Sequence, residues 1–283
     1  MTSEAGDRGG DRGGDRDHTT AGPAAEVAVS DEHVATRDAF RRDDVVQFYA
    51  TFREDLLPGE VHVFEHAVPP GARVLDLGVG AGRTTPFLAE RASRYVGLDY
   101  SEGMLEECRR RFPDLEFVQA DASDLSPFPD GSFDVVVFSF NGIDCLHPDA
   151  VRLRCIAEIR RVLAPGGTAV ISEHNPRAII VPPRPLRGVP AKVAAVRALK
   201  ALRATASRTV ALVPTPMFRT GIGYYFDPEH GGNWFHAAVP DRVIEEWRRE
   251  GFEHRGEVVG YDHPVRARAL RTGWYYYTFQ KRT

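Results

Sequence analysis

The clearest chemical signature in the sequence is a glycine-rich segment, Asp76-Leu-Gly78-Val-Gly80-Ala-Gly82. It follows an apolar run that predicts a buried strand, and it opens a helical pattern. Glycines at such a turn let the backbone approach a ligand where a Cβ atom would collide with it. The spacing indicates a site for an adenosyl-containing cofactor, although a tight turn without a ligand would use the same residues. Arg83 stands where a nicotinamide dinucleotide site usually has another glycine, which weakens that alternative without excluding it.

Two more acidic residues follow the next two predicted strands. Asp99, with Tyr100 beside it, ends the second strand, where its carboxylate can accept hydrogen bonds from both hydroxyls of a ribose. Asp121 and Ala122 follow the third strand, where the carboxylate can accept from the adenine amine while backbone amides meet the ring nitrogens. Asp99 could instead cap the helix predicted to begin at Ser101.

Alternating strand and helix signals must position these side chains. Strands separated by helices of ten or more residues require a parallel sheet with right-handed crossovers, so we expect a doubly wound α/β fold with helices on both faces. The predicted strands are 73–77, 95–98, 115–119, 133–140, 168–173, 257–260 and 274–280, and the predicted helices are 38–57, 61–67, 82–92, 101–112, 149–163 and 241–250. We divide the chain into a disordered tail (1–25), N-terminal helices (26–70), a cofactor-binding core (71–175), an inserted lid (176–238) and a C-terminal helix with the last two strands (239–283).

The predicted lid is strongly basic. Between Glu173 and Asp227 the sequence has no acidic residue, and residues 191–204 form a cationic amphipathic helical pattern. The basic residues are Arg177, Arg184, Arg187, Lys192, Arg197, Lys200, Arg203, Arg208 and Arg219. Three interpretations remain open: a solvated flap, a cover that attracts a substrate bearing phosphate or carboxylate, and a contact with a membrane surface.

The motifs taken together resemble those of class I S-adenosylmethionine-dependent methyltransferases. The resemblance rests on 76–82, Leu98-Asp99, Asp121-Ala122, the strand 133–140 with Phe138, and Leu163-Ala-Pro-Gly-Gly167. It implies S-adenosylmethionine as cofactor, with the glycine loop at the methionine end, Asp99 on the ribose, and Asp121 with Ala122 on the adenine. Asp76 would orient the methionine ammonium, and Tyr100 and Phe138 join the cofactor contacts. It also implies a mostly parallel seven-stranded sheet whose last strand, 274–280, is antiparallel and inserted between the two before it.

Methyl transfer is an in-line displacement, so the protein must align the acceptor and, for a hydroxyl or ammonium, remove a proton. His174 after the fifth strand and His147 after the fourth are the candidate general bases, because imidazole titrates near neutral pH. Asn141 ends the segment Phe138-Ser139-Phe140-Asn141-Gly142 and could hydrogen-bond the acceptor or the cofactor. A solvated loop histidine and a simple Asn-Gly turn are the plainer alternatives. His230 and His236, in the lid, are weaker candidates.

Composition narrows the class of protein. A chain of 283 residues with 42% apolar side chains can bury a substantial core, and its formal net charge of -4 argues against general nucleic-acid binding. The sequence also departs from the Asp/Asn-Pro-Pro-Tyr pattern of nucleic-acid amino-methyltransferases. No apolar run is long enough to span a membrane and the N-terminus does not resemble a signal peptide, so we expect a cytoplasmic protein. The three cysteines predict neither disulfides nor zinc, and we expect no metal, with Asp144 as the one reservation.

The sequence therefore predicts methylation of an O or N atom of a small molecule, in secondary metabolism such as antibiotic biosynthesis or in cell-envelope metabolism. The acceptor could be anionic, and a peripheral membrane contact and a homodimer are compatible with the sequence. Two other functions are kept. One is a nicotinamide-dependent oxidoreductase, and the other is a non-catalytic adaptor that docks on an anionic surface through the basic lid.

Overall fold

The computed structural model describes residues 38–52, 55–179, 195, 198–199, 202–203, 206, 216–227, 233–263 and 272–283. The predicted tail (1–25) and His230 lie outside these residues. None of the helices among the described residues is long and apolar enough to cross a membrane.

Strands and helices alternate through the first half of the chain. The strands are β1 (Ala72–Leu77), β2 (Ala92–Asp99), β3 (Glu116–Gln119), β4 (Phe133–Phe138), β5 (Leu163–His174), β6 (Ile222–Asp227), β7 (Asn233–Ala238), β8 (Phe252–Gly260) and β9 (Trp274–Lys281). The helices are α1 (Asp43–Phe52), α2 (Pro58–Ala67), α3 (Thr85–Arg91), α4 (Glu102–Arg111), α5 (Asp149–Val162), α6 (Pro176–Ile179), α7 (Pro216–Thr220) and α8 (Pro240–Arg249), with a 3₁₀ helix at Gly142–Cys145.

Seven strands form one sheet in the order β3-β2-β1-β4-β5-β9-β8. The first five strands are parallel, whereas β9 pairs antiparallel with both β5 and β8. The expected doubly wound sheet, with its last strand antiparallel and inserted between the two before it, is confirmed. The central strands are apolar along their length because helices cover both faces, as Val74, Leu75 and Leu77 in β1 show by being fully buried.

The hydrophobic core lies on both faces of the sheet. Helices α2, α3 and α4 cover one face through residues such as Phe64, Leu88 and Leu105. Helices α5 and α8 cover the other, where Trp247 of α8 stacks on Phe279 of β9 with ring centroids 4.6 Å apart. Each such side chain contributes about 1.5–3 kcal/mol when fully buried. The packing holds the carboxyl ends of β1 to β5 along one edge.

Several element boundaries differ from the prediction. The first helix ends at Phe52 rather than at the predicted residue 57, and α2 begins at Pro58 rather than at 61, because the fixed φ and missing N–H of proline suit a first helical turn. β4 ends at Phe138 rather than Phe140, since Phe140 and Asn141 adopt left-handed φ angles of 56° and 63°. β5 begins at Leu163 and so includes the segment 165–167, which was predicted to precede the strand.

The predicted lid contains more β structure than its sequence indicated. Its described parts are the short helices α6 and α7 and an antiparallel hairpin of β6 and β7, which packs on β5 and the 3₁₀ helix. Within the predicted cationic helix 191–204, the described residues 195, 198–199 and 202–203 are helical, and Leu199 and Leu202 are exposed. The basic lid itself stays a prediction.

Candidate active site

A cavity of about 670 Å³ opens at the carboxyl edge of the sheet, between the loops after the parallel strands, helix α1 and the β6–β7 hairpin. Ten of the residues singled out from the sequence line it: Asp76, Gly78, Gly80, Asp99, Tyr100, Asp121, Ala122, Phe138, Asn141 and His174. Gly82 and His147 are not part of this lining. The parallel strands thus bring residues from five separate segments to one site.

The three glycines of the turn each have a left-handed φ angle, but they differ in what surrounds them. At Gly80, with φ 54°, an added Cβ would meet no atom within 4 Å, so this backbone borders open space at the cavity. At Gly78 a Cβ would lie 2.8 Å from the Phe138 ring. At Gly82 it would lie 2.8 Å from the Phe112 ring, so this glycine lets α4 pack against the turn. Gly80 is therefore the glycine best placed beside a ligand.

Asp99 joins this turn to the start of α4. Its Oδ2 accepts a hydrogen bond from the Gly80 N–H at 2.9 Å, and its Oδ1 accepts one from the Ser101 N–H at 2.9 Å. Burial raises the pKa of Asp99. The helix-cap alternative and the cofactor role are thus compatible in one residue, because the carboxylate bonds the backbone while its side chain lines the cavity. The second carboxylate of this edge, Asp121, accepts from the N–H and the hydroxyl of Ser123.

Asp76 lies deeper, with 1% of its surface exposed. Its Oδ2 accepts hydrogen bonds from the hydroxyls of Thr84 at 2.6 Å and Tyr95 at 2.8 Å. Burial raises its pKa to about 6, although both hydroxyls favour the ionised form. Asp76 therefore anchors the segment after the glycine turn to β2 as well as bordering the cavity.

A buried ion pair beside the turn was not foreseen from the sequence. Glu60 of α2 is fully buried and accepts two hydrogen bonds from the Arg83 guanidinium, at 2.6 Å each, and others from the Ser139 hydroxyl and the Leu57 N–H. Burial alone would raise the pKa of Glu60, but Arg83 and the other donors outweigh burial and lower it. Arg83 lines the cavity, and its guanidinium carbon lies 4.8 Å from the centre of the Phe140 ring. The sequence shows an acidic residue at the start of α2, but it does not indicate that Arg83 is the partner of this residue.

His174 forms a close pair with Asp144, which lies in the 3₁₀ helix and is fully buried. Asp144 Oδ2 lies 2.6 Å from His174 Nδ1 and also accepts from the His174 backbone N–H at 2.7 Å. A buried carboxylate at this distance assigns the ring proton to Nδ1 and leaves Nε2 as the basic nitrogen. Burial would raise the pKa of Asp144, but His174 and His236 outweigh it and lower the pKa. Such a pair has the chemistry to act as a carboxylate-oriented general base.

Asn141 lies next to this base. Its Nδ2 is 3.3 Å from His174 Nε2, and its backbone N–H donates to the Ser172 hydroxyl at 2.7 Å. Its Oδ1 is buried and has no hydrogen-bond partner among the described residues. Asn141 and Phe140 both hold left-handed backbone conformations, which cost non-glycine residues about 1–3 kcal/mol each. The fold thus maintains a strained turn that places an amide beside His174.

His147, the other candidate base, follows the 3₁₀ helix and packs among rings of the hairpin. Its ring centroid lies 4.5 Å from that of Tyr224 and 5.8 Å from that of Trp234. His174 is therefore the candidate that borders the cavity.

The segment that forms the first five strands of the sheet is similar in sequence to a known protein family. Residues 74–167, which run from β1 into β5, match a family model described as a methyltransferase domain. Over these residues the chain is similar to the methyltransferase domain family. The resemblance to class I S-adenosylmethionine-dependent methyltransferases is thereby confirmed.

Curated relatives match the methyltransferase domain over part of their length. Demethylmenaquinone methyltransferase of Beutenbergia cavernae is 40% identical over 139 residues, which are 47% of this chain and 56% of that protein. Fatty-acid O-methyltransferase of Mycolicibacterium smegmatis is 40% identical over 111 residues, 38% of this chain and 39% of that protein. The chain spans about half the length of the first of these relatives and less of the second.

Solved structures share the fold over a longer stretch. The Burkholderia thailandensis 1,6-didemethyltoxoflavin-N1-methyltransferase, solved with 1,6-didemethyltoxoflavin and S-adenosylhomocysteine bound, aligns with a TM-score of 0.56 and 18% identity. The alignment covers 91% of this chain and 93% of that one. At this identity the likeness shows the fold, which here extends well beyond the methyltransferase domain match.

Two clusters among the described residues have side chains of metal-ligating type close together. One, at the surface, comprises His62, Glu257 and His263, and the other, beside the cavity of the methyltransferase domain, comprises Asp144, Glu173 and His236. In the second cluster Asp144 Oδ2 is already bonded to His174. The expectation that no metal takes part stays a prediction.

Proposed function

We propose that this chain binds S-adenosylmethionine in the cavity and transfers a methyl group to a hydroxyl oxygen or amine nitrogen of a small molecule, with His174 as general base. The observation that carries the proposal is the Asp144–His174 pair, because His174 lies in the wall of the same cavity as Gly80 and Asp99, with the buried Asp144 behind it. The methyltransferase domain match supports it over a nicotinamide oxidoreductase.

The residues that line the cavity fit this cofactor. Gly80 offers backbone with no side chain beside open space, as the methionine end requires, and Arg83 offers a cation for the methionine carboxylate. Asp99 would accept from the ribose hydroxyls, and Asp121 with Ala122 would meet the adenine. Gly78, Tyr100 and Phe138 line the same cavity, and Asp76 holds the segment that follows the turn. When bound, S-adenosylmethionine supplies an electrophilic methyl group on sulfur.

The residues around His174 would handle the acceptor. His174 Nε2 would take the proton that the acceptor loses when it is methylated, and Asp144 would stabilise the imidazolium that forms. Asn141 Oδ1, which is buried with no partner among the described residues, can accept a hydrogen bond from the acceptor. General base catalysis of this kind contributes about 10²–10⁴-fold.

Aromatic side chains surround the base. The His174 ring lies edge-on to Phe235 at 5.9 Å and to Tyr225 and Trp274 at 6.3 Å each, measured between centroids. Tyr225 and Phe235 come from the β6–β7 hairpin, so the predicted lid region supplies part of the acceptor wall. Such a wall favours an acceptor with an apolar or aromatic body and excludes water from the reacting atoms.

We also propose a class of acceptor and the kind of pathway in which it is methylated. Two relatives are named for a quinone and a fatty acid, which are small apolar molecules with an ionisable or polar head. From these relatives we take only the apolar body, and we favour an acceptor that joins such a body to a hydroxyl or amine, in secondary or cell-envelope metabolism, and a cytoplasmic reaction. The anionic acceptor, a homodimer and a peripheral membrane contact stay predictions.

Cofactor binding is the first test. S-adenosylhomocysteine at one hundred times its dissociation constant should raise the free energy of unfolding by about 2.7 kcal/mol, whereas NAD and NADP should leave it unchanged. Purified protein should then transfer radiolabelled methyl groups to at least one member of a panel of phenols, hydroquinones, fatty acids and amines. Stabilisation by NAD instead of S-adenosylhomocysteine would refute the proposal. Tight, salt-sensitive binding to anionic vesicles with no methyl transfer would favour the adaptor.

A further inference from the structure

Behind the base, two buried carboxylates face one buried histidine. Asp144 and Glu173 are fully buried, and His236 is 1% exposed. His236 Nδ1 lies 3.1 Å from Glu173 Oε2 and 3.7 Å from Asp144 Oδ1. Because Asp144 uses its other oxygen to hold His174, a single carboxylate lies between the two imidazoles.

The two carboxylates favour an imidazolium at His236, whose other ring nitrogen, Nε2, is buried and has no hydrogen-bond partner among the described residues. Burial and the nearby Arg152 lower the pKa of His236, but its interactions with Asp144 and Glu173 outweigh them and raise it to about 9. Burial raises the pKa of Glu173, and His236 offsets this in part. Two carboxylates desolvated together are costly without a cation between them.

Groups from every neighbouring element face the cluster. Asp144 lies in the 3₁₀ helix, Glu173 and His174 end β5, and Arg152 approaches from α5 and acts electrostatically on both Glu173 and His236. Tyr277 of β9 has its hydroxyl buried near the carboxylates, and the Tyr224 ring of β6 lies 5.2 Å from that of His236.

The cluster joins the hairpin to the catalytic edge. His236 belongs to β7, which packs on β5 and on the 3₁₀ helix, whereas both carboxylates belong to the sheet and its loops. The cation thus reaches the two acids only when the hairpin is docked. The same hairpin carries Tyr225 and Phe235, which border the acceptor side of the cavity.

We propose that His236 is a positioning residue for methyl transfer: its imidazolium, carried by the β6–β7 hairpin, holds the Asp144 carboxylate in place and thereby orients His174. The inference rests on the proposed function, since it assigns His236 a part in the same general base. In this proposal His174 is correctly oriented only when the β6–β7 hairpin is packed against the sheet. The hairpin therefore both forms part of the acceptor wall and completes the Asp144–His174 pair.

Substitution of His236 tests the role through kinetics. His236→Gln keeps a hydrogen-bond donor of similar length but removes the charge, and we expect kcat to fall about tenfold or more while the Kd for S-adenosylhomocysteine stays within about twofold. His66→Gln, at an exposed histidine in the last turn of α2, serves as control and should keep near wild-type kcat. An unchanged kcat in His236→Gln would overturn the inference.

The pH dependence of kcat gives a signature that loss of packing alone would not. Since His236 is charged below its pKa of about 9, wild-type kcat should decline as pH rises through that value, and His236→Gln should lack this decline. The same alkaline decline in both proteins would contradict the role.

Two measurements on the wild-type chain keep the inference testable if the variant fails to fold. With S-adenosylhomocysteine added, ¹⁵N NMR should show both ring nitrogens of His236 protonated at pH 7.5, and a neutral ring would overturn the inference. EDTA should leave kcat unchanged, whereas a loss restored by Zn²⁺ or Mg²⁺ that also occurs in His62→Gln, which breaks the surface cluster, would assign the Asp144, Glu173 and His236 cluster to a metal and refute the imidazolium. Wild-type protein that methylates no acceptor would refute the proposed function, whereas equal activities of wild type and His236→Gln would refute only the role of His236.

Discussion

The carboxylate of Glu60 accepts two hydrogen bonds from the guanidinium of Arg83, each 2.6 Å long, and so ties helix α2 to the residue that follows the glycine turn. Glu60 is fully buried and the Arg83 side chain is 15% exposed. Removing one partner of such a pair leaves a buried charge uncompensated.

Arg83→Met should therefore lower the free energy of unfolding by about 3–5 kcal/mol, measured by urea denaturation at pH 7. Arg94→Met is a suitable control, because Arg94 pairs with Glu116 at the surface with both side chains nearly half exposed. Its loss should cost at most about 1 kcal/mol. If both substitutions lowered the free energy of unfolding by the same amount, the buried Glu60–Arg83 pair would contribute no more to stability than a surface pair.

Alanine substitutions should separate the glycine that borders the ligand from the one that packs the fold. Gly80→Ala places its Cβ in open space, so it should fold with a loss of about 1–2 kcal/mol from its left-handed φ and should weaken S-adenosylhomocysteine binding at least about tenfold. Gly82→Ala directs its Cβ at the Phe112 ring, so it should lose more stability. Thermal unfolding and calorimetric titration measure the two effects, and intact binding by Gly80→Ala would place the cofactor elsewhere.

Asp99→Ala should weaken S-adenosylhomocysteine binding at least about tenfold, because the ribose loses a charged acceptor and the Gly80 N–H loses its partner. Isothermal titration calorimetry provides the measurement. Asp124→Ala is the matched control, since this exposed carboxylate lies one loop away and accepts from the Ser126 N–H. Comparable affinities for Asp99→Ala and the control would argue strongly against the cofactor assignment.

His174→Gln should lower kcat by about 10²–10⁴-fold. Asp144→Asn should lower kcat by a smaller factor, and both variants should keep nearly unchanged cofactor affinity. Gln cannot accept the proton, whereas Asn removes only the charge that stabilises the imidazolium. Single-turnover methyl transfer at saturating cofactor isolates the chemical step. His147→Gln is the control, and if it alone reduced the rate, His147 would replace His174 as the base.

Asp76 should make stability depend on pH in the direction opposite to that of a surface carboxylate. Its folded pKa of about 6 lies above its unfolded value, so the native state binds the additional proton between about pH 4 and 6 and loses stability as pH rises through that range. The stability of wild type relative to Asp76→Asn should therefore fall by about 2–3 kcal/mol between pH 4 and pH 7.5.

Asp134→Asn is the control for this titration. The hydrogen bonds from Arg73 lower the pKa of Asp134, so its contribution to stability is present above the unfolded value and is lost as pH falls. Because both side chains are about 40% exposed, the effect should stay below about 1 kcal/mol. Urea denaturation across the pH range measures the pH dependence of stability for both variants. If the stability difference between wild type and Asp76→Asn did not change with pH, the raised pKa of Asp76 would be contradicted.

The local pattern of the chain determined the sheet strands, most helices, the glycine turn and the acids that follow β2 and β3. Each of these depends on residues a few positions apart, whose periodicity and turn preferences are readable directly. The position of β9 between β5 and β8 came from family resemblance, because strand order depends on long-range pairing that local pattern does not contain. The β6–β7 hairpin was missed, since a basic helical pattern dominates the sequence before it.

By itself, then, the sequence determined the fold class and the edge of the sheet where the cavity opens, because consecutive strands of a parallel sheet carry their carboxyl ends to one side. Only the tertiary structure decided which polar side chains meet there. Glu60 and Arg83 are 23 residues apart, Asp144 and His174 are 30 apart, and Glu173 and His236 are 63 apart. Such partners are chosen by strand register and by helix and hairpin packing, which bury each charge and require it to find its counterpart across the fold.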